Sequence, residues 1–340
     1  RENLLLQSNQ FDTTWTNVNT TETSGQSGYD GTNDAWLLSK SAASARIEQS
    51  VSQSGVLTFS VYAKAGTLNW IRLNVDTAWA FYDLANGVVG SDINNIIDHN
   101  IYDIGGGWYR CELVINLTAS VCRIYPAQND GDVGGTSGNI VIQDAQLEQG
   151  LVATSVIETT TTTGKAGILE DTPRFDYSGG ATCPSLLLEP SRTNLATLSE
   201  YFEGWSHKPN TTATSNYTTS PEGLTNATRL EFTGNGYLYN INSPTQVNGT
   251  EYTLSCYAKR NDSGTQSFGF FTNGSGTVNS AMTLTSEWKR FDYTYTATNA
   301  SQLGLAGSSG ADVSVFGFQV EASATYPTSY IPTYGVSQTR

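Results

Sequence analysis

Five blocks of this sequence recur in the same order, and a chain that contains itself twice must fold as two copies of one unit. Arg1-Glu2-Asn3-Leu4, followed by Ser8, Phe11 and Trp15, returns as Arg192-Thr193-Asn194-Leu195 with Ser199, Phe202 and Trp205. Ser60-Val61-Tyr62-Ala63-Lys64 returns as Ser255-Cys256-Tyr257-Ala258-Lys259, and Trp108-Tyr109-Arg110 as Trp288-Lys289-Arg290. Gln146-Leu147-Glu148 returns as Gln319-Val320-Glu321. Thr154-Ser155-Val156-Ile157-Glu158-Thr159 returns as Thr328-Ser329-Tyr330-Ile331-Pro332-Thr333. The spacing between copies drifts along the chain, as insertions and deletions in loops produce. The copies span 1–159 and 191–340. Between them, 160–190 reads as an ordered connector that begins with the threonine run Thr159 to Thr163, a linker. It continues with Arg174-Phe175-Asp176-Tyr177 and Leu186-Leu187-Leu188, apolar enough to pack as one or two short strands.

The units are built of strands. In Leu57 to Lys64, Leu57, Phe59, Val61 and Ala63 share one face, and Thr58, Ser60, Tyr62 and Lys64 the other. The second copy repeats this with Leu254, Cys256 and Ala258 against Ser255, Tyr257 and Lys259, and Ile71, Leu73 and Val75 alternate with Trp70, Arg72 and Asn74. Asn86-Gly87 and Ser263-Gly264 mark turns. No window carries a capped helical period. The expected fold class is all-β: two tandem antiparallel β-sandwich, jelly-roll modules.

Composition excludes several functions. Only 14% of residues are charged, yet there are 18 Tyr, 12 Phe and 7 Trp, the profile of short strands and polar turns rather than of a disordered chain. A net charge of −14 disfavours nucleic acid as a partner. No apolar stretch approaches the roughly 20 residues of a membrane span, so membrane insertion is not expected. Cys111, Cys122, Cys183 and Cys256 form no metal-binding pair and read as buried free thiols, Cys111 on an inward face with Tyr109 and Leu113. His99, in a turn-like Asp98-His99-Asn100, and His207 offer no catalytic triad, and no motif singles out a carboxylate pair among 31 acidic residues, so the chain reads as a non-enzyme.

The chain resembles the carbohydrate-binding-module-like β-sandwich domains of tailed-phage structural proteins: head fibres, tail fibres and spikes. The resemblance rests on Ser185 to Leu195 (SLLLEPSRTNL), Tyr82-Asp83-Leu84 with Asn86-Gly87, Gly107-Trp108-Tyr109-Arg110-Cys111, Ala145-Gln146-Leu147-Glu148, Ser329-Tyr330-Ile331-Pro332-Thr333 and Ser155-Val156-Ile157. It implies a fibre or capsid-decoration protein at the virion surface. Its implied partners are glycans, other virion proteins and further copies of itself, a fibre-type trimer among the possible homo-oligomers. The alternatives are the non-catalytic carbohydrate-binding part of a secreted bacterial polysaccharide-degrading enzyme or adhesin, and a purely architectural fibre segment. The second copy lacks the Tyr-Asp-Leu block, which points to the first copy as the binder. Arg1 aligns with Arg192, inside what looks like a repeated connector, so the chain is expected to be a segment of a longer protein.

Sugars are held by aromatic faces and a few polar groups. Outward parity in the first copy gives Tyr62, Lys64, Trp70, Arg72, Trp108, Arg110 and Glu112. The expected ligand site is Trp70, Tyr82 and Trp108 for stacking, with Arg72 and Arg110 reading hydroxyl or acidic groups. The competing reading is that the Trp-x-Arg element covers a sheet face under a loop, its Arg paired with a carboxylate. No cofactor is expected other than a possible structural calcium. The resemblance implies that such an ion would be held through Asp144, where the second copy has Gly317.

Overall fold

The structure, a computed structural model, describes residues 1–93, 96–167, 175–176, 185–243, 245–272 and 277–340. The described residues contain strands and no helix. The chain divides into two compact units, Arg1–Asp171 and Thr172–Arg340.

Unit 1 holds β1 (Glu2–Asn3), β2 (Thr16–Val18), β3 (Thr20–Gln26), β4 (Ala35–Lys40), β5 (Arg46–Ala65), β6 (Trp70–Val75), β7 (Ala78–Asp83), β8 (Val88–Asp92), β9 (Asp98–Gly105), β10 (Trp108–Ala127), β11 (Asn139–Gln149) and β12 (Gly164–Lys165). The antiparallel order is β3-β4-β11-β5-β10-β6-β7-β8, with β2 on β5 and β9 on β10. The two 20-residue strands β5 and β10 make this ladder into a sandwich. Leu57–Ala63 of β5 and Trp108–Val114 of β10 pair with β11 and β9, whereas Arg46–Glu48 and Cys122–Ala127 pair with β2 and β6. A register shift between Ala119 and Val121 marks the passage. Inward side chains of both halves, among them Ile47, Phe59, Val61, Ile71, Leu73, Cys111, Leu113 and Ile124, are fully buried in one core. We call the β3-β4-β11-β5-β10-β9 half the first sheet and the β2-β5-β10-β6-β7-β8 half the second.

Unit 2 holds β13 (Phe175–Asp176), β14 (Ser185–Leu186), β15 (Thr193–Asn194), β16 (Thr211–Thr218), β17 (Ala227–Phe232), β18 (Gly236–Leu238), β19 (Glu251–Arg260), β20 (Phe268–Phe271), β21 (Ser280–Ala281), β22 (Lys289–Thr296), β23 (Gly304–Gly307), β24 (Asp312–Ala322) and β25 (Gln338–Thr339). Its sheets run β16-β17-β24-β19-β22 and β18-β23-β20-β21. This is the order of unit 1, with β5 broken into β18 and β19, and β10 into β22 and β23. Register confirms the equivalence: Arg110 lies opposite Tyr62, and Arg290 opposite Tyr257.

The repeated blocks prove to be the closure of each unit. Asn3 is fully buried. Its Nδ2 donates to the carbonyls of Ala145 (3.2 Å) and Ile157 (2.9 Å), and its Oδ1 accepts from Leu5 N and Leu147 N at 3.1 Å. Asn194 does the same with Phe318 O, Ile331 O, Ala196 N and Val320 N. Gln146 accepts from Ile157 N, and Gln319 from Ile331 N, both at 2.7 Å. Glu148 takes the Thr154 amide and hydroxyl, and Glu321 those of Thr328. These polar side chains satisfy backbone groups of an irregular closing segment, which has no strand partner of its own.

The threonine run is not a linker. Thr160 O accepts from Gln7 N, Thr159 is buried, and Gly164–Lys165 pairs with Glu2–Asn3, as Gln338–Thr339 pairs with Thr193–Asn194. Of the segment expected to pack as a connector, β13 pairs with β14, but Phe175, Leu186 and Leu188 are exposed, Leu188 at 82%. Arg174, Tyr177 and Cys183 lie outside the described residues. Asp98-His99-Asn100 is in β9, not in a turn. Cys111, Cys122 and Cys256 are buried and free.

Candidate functional site

The predicted stacking site does not assemble, because its residues belong to three different surfaces. Tyr82 points inward from β7, is fully buried, and donates its hydroxyl to Glu112 O at 2.7 Å. Burial holds its phenol well above the usual range. Trp108 is 3% exposed and Arg110 9%. Both do face outward from the first sheet, but later chain covers that face. Arg110 Nη2 donates to Thr154 O (2.6 Å), its Nε lies 3.6 Å from Glu112, and its guanidinium sits over the Tyr62 ring. Tyr29, from the β3–β4 loop, stacks on Tyr62 at 3.9 Å and meets Trp108 edge-on. Alternation assigned the parity of these side chains correctly. Which face the closing segment would lie on is a tertiary matter, and the covered-face reading is the one that holds. The Tyr82-Asp83-Leu84 block ends β7 and enters its hairpin turn to β8, with Asp83 Oδ1 accepting from Ala85 N and Gly87 at φ +66°.

Asp144 occupies a bulge in β11 with φ +51°, and Gly317 has φ +66° at the equivalent bulge. The Asp-for-Gly difference therefore follows from a left-handed backbone position that suits either residue. Tyr29 donates its hydroxyl to the Asp144 carboxylate at 2.8 Å, and burial pushes that carboxyl up to about 6. Among the described residues no group of three His, Cys, Asp or Glu side chains converges as metal ligands.

Trp70 and Arg72 remain, and they sit on the outer face of the second sheet with residues not anticipated. Trp70, Arg72 and Asn74 alternate with the buried Ile71, Leu73 and Val75. Register places Phe81 opposite Arg72 on one side and Tyr125 on the other, with Trp79 and Arg123 flanking Asn74. The Arg72 guanidinium lies 4.7 Å from the Tyr125 ring centre, 5.3 Å from Trp79 and 5.8 Å from Phe81. Arg46 stacks over the far edge of the row on Tyr125 at 5.7 Å. Glu48 bridges Arg46 (2.8 Å) and Arg123 (2.9 Å). Trp70, Trp79 and Arg72 are each partly exposed, whereas Phe81 and Tyr125 are buried beneath the guanidinium. The result is a row of flat groups held by strands, with two indoles and a guanidinium partly exposed.

This row could have been found in the sequence. Trp79-x-Phe81 and Arg123-x-Tyr125 alternate like Trp70-x-Arg72, but the aromatic density around Tyr82 reads as a loop. Unit 2 carries a different set on its equivalent face: Tyr237 and Tyr239, alternating with the buried Leu238, are partly exposed, pack on His207 at 5.1 and 4.8 Å and lie against Phe271, with no indole or arginine among these rings. The other outward positions of β20, β21 and β23 include Gly269, Ala281, Gly304 and Ala306, and the half-exposed Trp288 precedes β22 on the other sheet, under Lys259.

Fold and site together define a tandem pair of antiparallel β-sandwiches, the first bearing two partly exposed indoles beside a ring-stacked arginine. No protein-family description matches the chain, and no curated protein matches it. Among solved structures the chain is similar to the tandem CBM22-1–CBM22-2 domain of Paenibacillus barcinonensis Xyn10C, at 12% identity over 94% of this chain and 98% of that one, TM-score 0.32. It is similar also to the tandem CBM51 modules of Sp3GH98 from Streptococcus pneumoniae (11% identity, 85% and 84% coverage, TM-score 0.26). A third is the ANX2 ectodomain of Arabidopsis thaliana (10%, 94% of each chain, TM-score 0.28).

Proposed function

We propose that this chain is a non-catalytic glycan-binding protein whose first module binds polysaccharide on the outer face of its second sheet. The observation that carries the reading is the pair of partly exposed indoles, Trp70 and Trp79, set on neighbouring strands beside a ring-stacked Arg72. Apolar sugar faces stack on indoles, and a stacked aromatic contributes about 1 kcal/mol beyond area burial. The second module lacks the indoles and the arginine, and its equivalent face carries Tyr237 and Tyr239 beside His207 instead. The motifs shared with tailed-phage structural proteins support a fibre or decoration protein on a virion, where many copies convert weak single-site binding into avidity. A secreted enzyme or adhesin would use the same face in the same way, and the protein sequence flanking this chain separates the settings.

The test is retention in affinity gels containing neutral and acidic polysaccharides. Trp70→Ala with Trp79→Ala should abolish retention with little change in melting temperature, while Trp108→Ala that still folds should retain it. Retention of the double variant at the wild-type level would sink the assignment of this face.

A further inference from the structure

Resting on that reading, we infer that the ligand of this face is an acidic polysaccharide, one whose carboxylates meet Arg72 between the two indoles. The chain carries 31 acidic against 17 basic side chains, yet three arginines, Arg46, Arg72 and Arg123, converge on one outer face around a single carboxylate, Glu48. Glu48 is shared by Arg46 and Arg123. Among the described residues Arg72 has no carboxylate within ion-pair distance, and its guanidinium makes one hydrogen bond, from Nη2 to Asn74 Oδ1 at 3.1 Å. Its Nε is buried with no acceptor. Burial holds the guanidinium below its usual pKa; Tyr125 opposes this, and Arg123 and Arg46 add to it.

Four other arginines among the described residues look different. Arg110 is 3.6 Å from Glu112, Arg229 forms a two-pronged pair with Asp312, Arg260 meets Asp262, and Arg340 meets Glu189. Arg72 is held in place by rings rather than by an acid. That leaves its charge uncompensated and its outer N–H groups for an incoming anion. Strand register adds the second requirement: Trp70 and Trp79 lie on either side of Arg72, so a pyranose ring stacked on an indole brings a ring carboxylate to the guanidinium. A uronate polymer supplies both groups in every residue. A neutral glycan supplies only the stacking, and a small anion only the charge.

The experiment uses the full chain and matched polymers: polygalacturonate, alginate and hyaluronan, each beside the same polymer with its carboxylates reduced to alcohols. At least one acidic polymer should bind roughly tenfold or more tighter than its reduced form, with the advantage shrinking as salt rises past 0.1 M, where the screening length is about 10 Å. Arg72→Gln should abolish that advantage, bringing each acidic polymer to the affinity of its reduced form. Glu48→Gln, which raises the charge of the face, should strengthen acidic binding about threefold, the effect of one charge at roughly 7 Å in a water-like dielectric. A gain of affinity cannot come from misfolding, so this variant guards against an Arg72 substitution that merely unfolds the module. Equal binding of acidic and reduced polymers would overturn the ligand class and leave the glycan face standing. So would binding to neutral polysaccharides alone. Acidic binding unchanged in Trp70→Ala with Trp79→Ala would overturn both.

Discussion

Asn3→Ala tests whether the repeated motif is structural. The substitution removes four hydrogen bonds at a fully buried position and strands the carbonyls of Ala145 and Ile157 and the amides of Leu5 and Leu147. Each buried group left unpaired costs about 1–3 kcal/mol. The four share one site and relax together, so a loss of about 3–5 kcal/mol is expected rather than the full sum. For a unit of this size, roughly 3 °C is lost per kcal/mol, which puts the transition of unit 1 about 10 °C lower. Asn194→Ala should do the same to unit 2 through Phe318, Ile331, Ala196 and Val320. Asn3→Asp keeps both accepting contacts and loses both donating ones, and should be no milder than alanine. Scanning calorimetry of the full chain, with exposed Thr13→Ala as a control, reads the shifts. A loss under about 3 °C in both alanine variants would show that water or relaxation replaces the clip, and the account of the repeat would fail.

Gly317→Val should destabilise unit 2 by about 1–3 kcal/mol, since its backbone is at φ +66° and a Cβ would come within 3.2 Å of the Tyr330 ring; a neutral result by denaturant titration would contradict this. Asp144→Gly should cost unit 1 less, because the same position at φ +51° welcomes glycine and only the Tyr29 contact is lost. Burial pushes the Glu112 carboxyl up to about 7, against the opposing Arg110, and that of Asp144 up to about 6. A folded-state pKa above the unfolded one means the folded state binds the proton more tightly, so stability should rise as pH falls from 8 to 5. The carboxylates held low, Asp30, Glu48 and Asp312, lose their contribution only in stronger acid. Glu112→Gln should flatten much of that slope in melting scans, and an unchanged slope would refute the assignment. Trp108→Ala, emptying a site packed by Tyr62 and Tyr29, should cost about 3–5 kcal/mol. Tyr82→Phe should cost about 1 kcal/mol and leave polysaccharide retention intact.

The sequence by itself determined that the protein is two copies of one antiparallel sandwich, because repeats and period-two alternation are local properties of the chain. It determined the inward set as well: Phe59, Val61, Ile71, Leu73, Cys111 and Leu113 are all buried. Parity says which side chains share a face. It does not say whether that face meets solvent or another stretch of the same chain. On the first sheet, the segment around Thr154 and the loop carrying Tyr29 cover Trp108 and Arg110, so residues with outward parity became interior. On the second sheet Trp70, Trp79 and Arg72 stay partly exposed, and residues far apart in sequence, from Arg46 to Tyr125, come into one row because β5 and β10 each carry on from one sheet into the other. Long-range pairing is what local pattern cannot encode, and for that reason the tertiary structure alone decided where the open face lies.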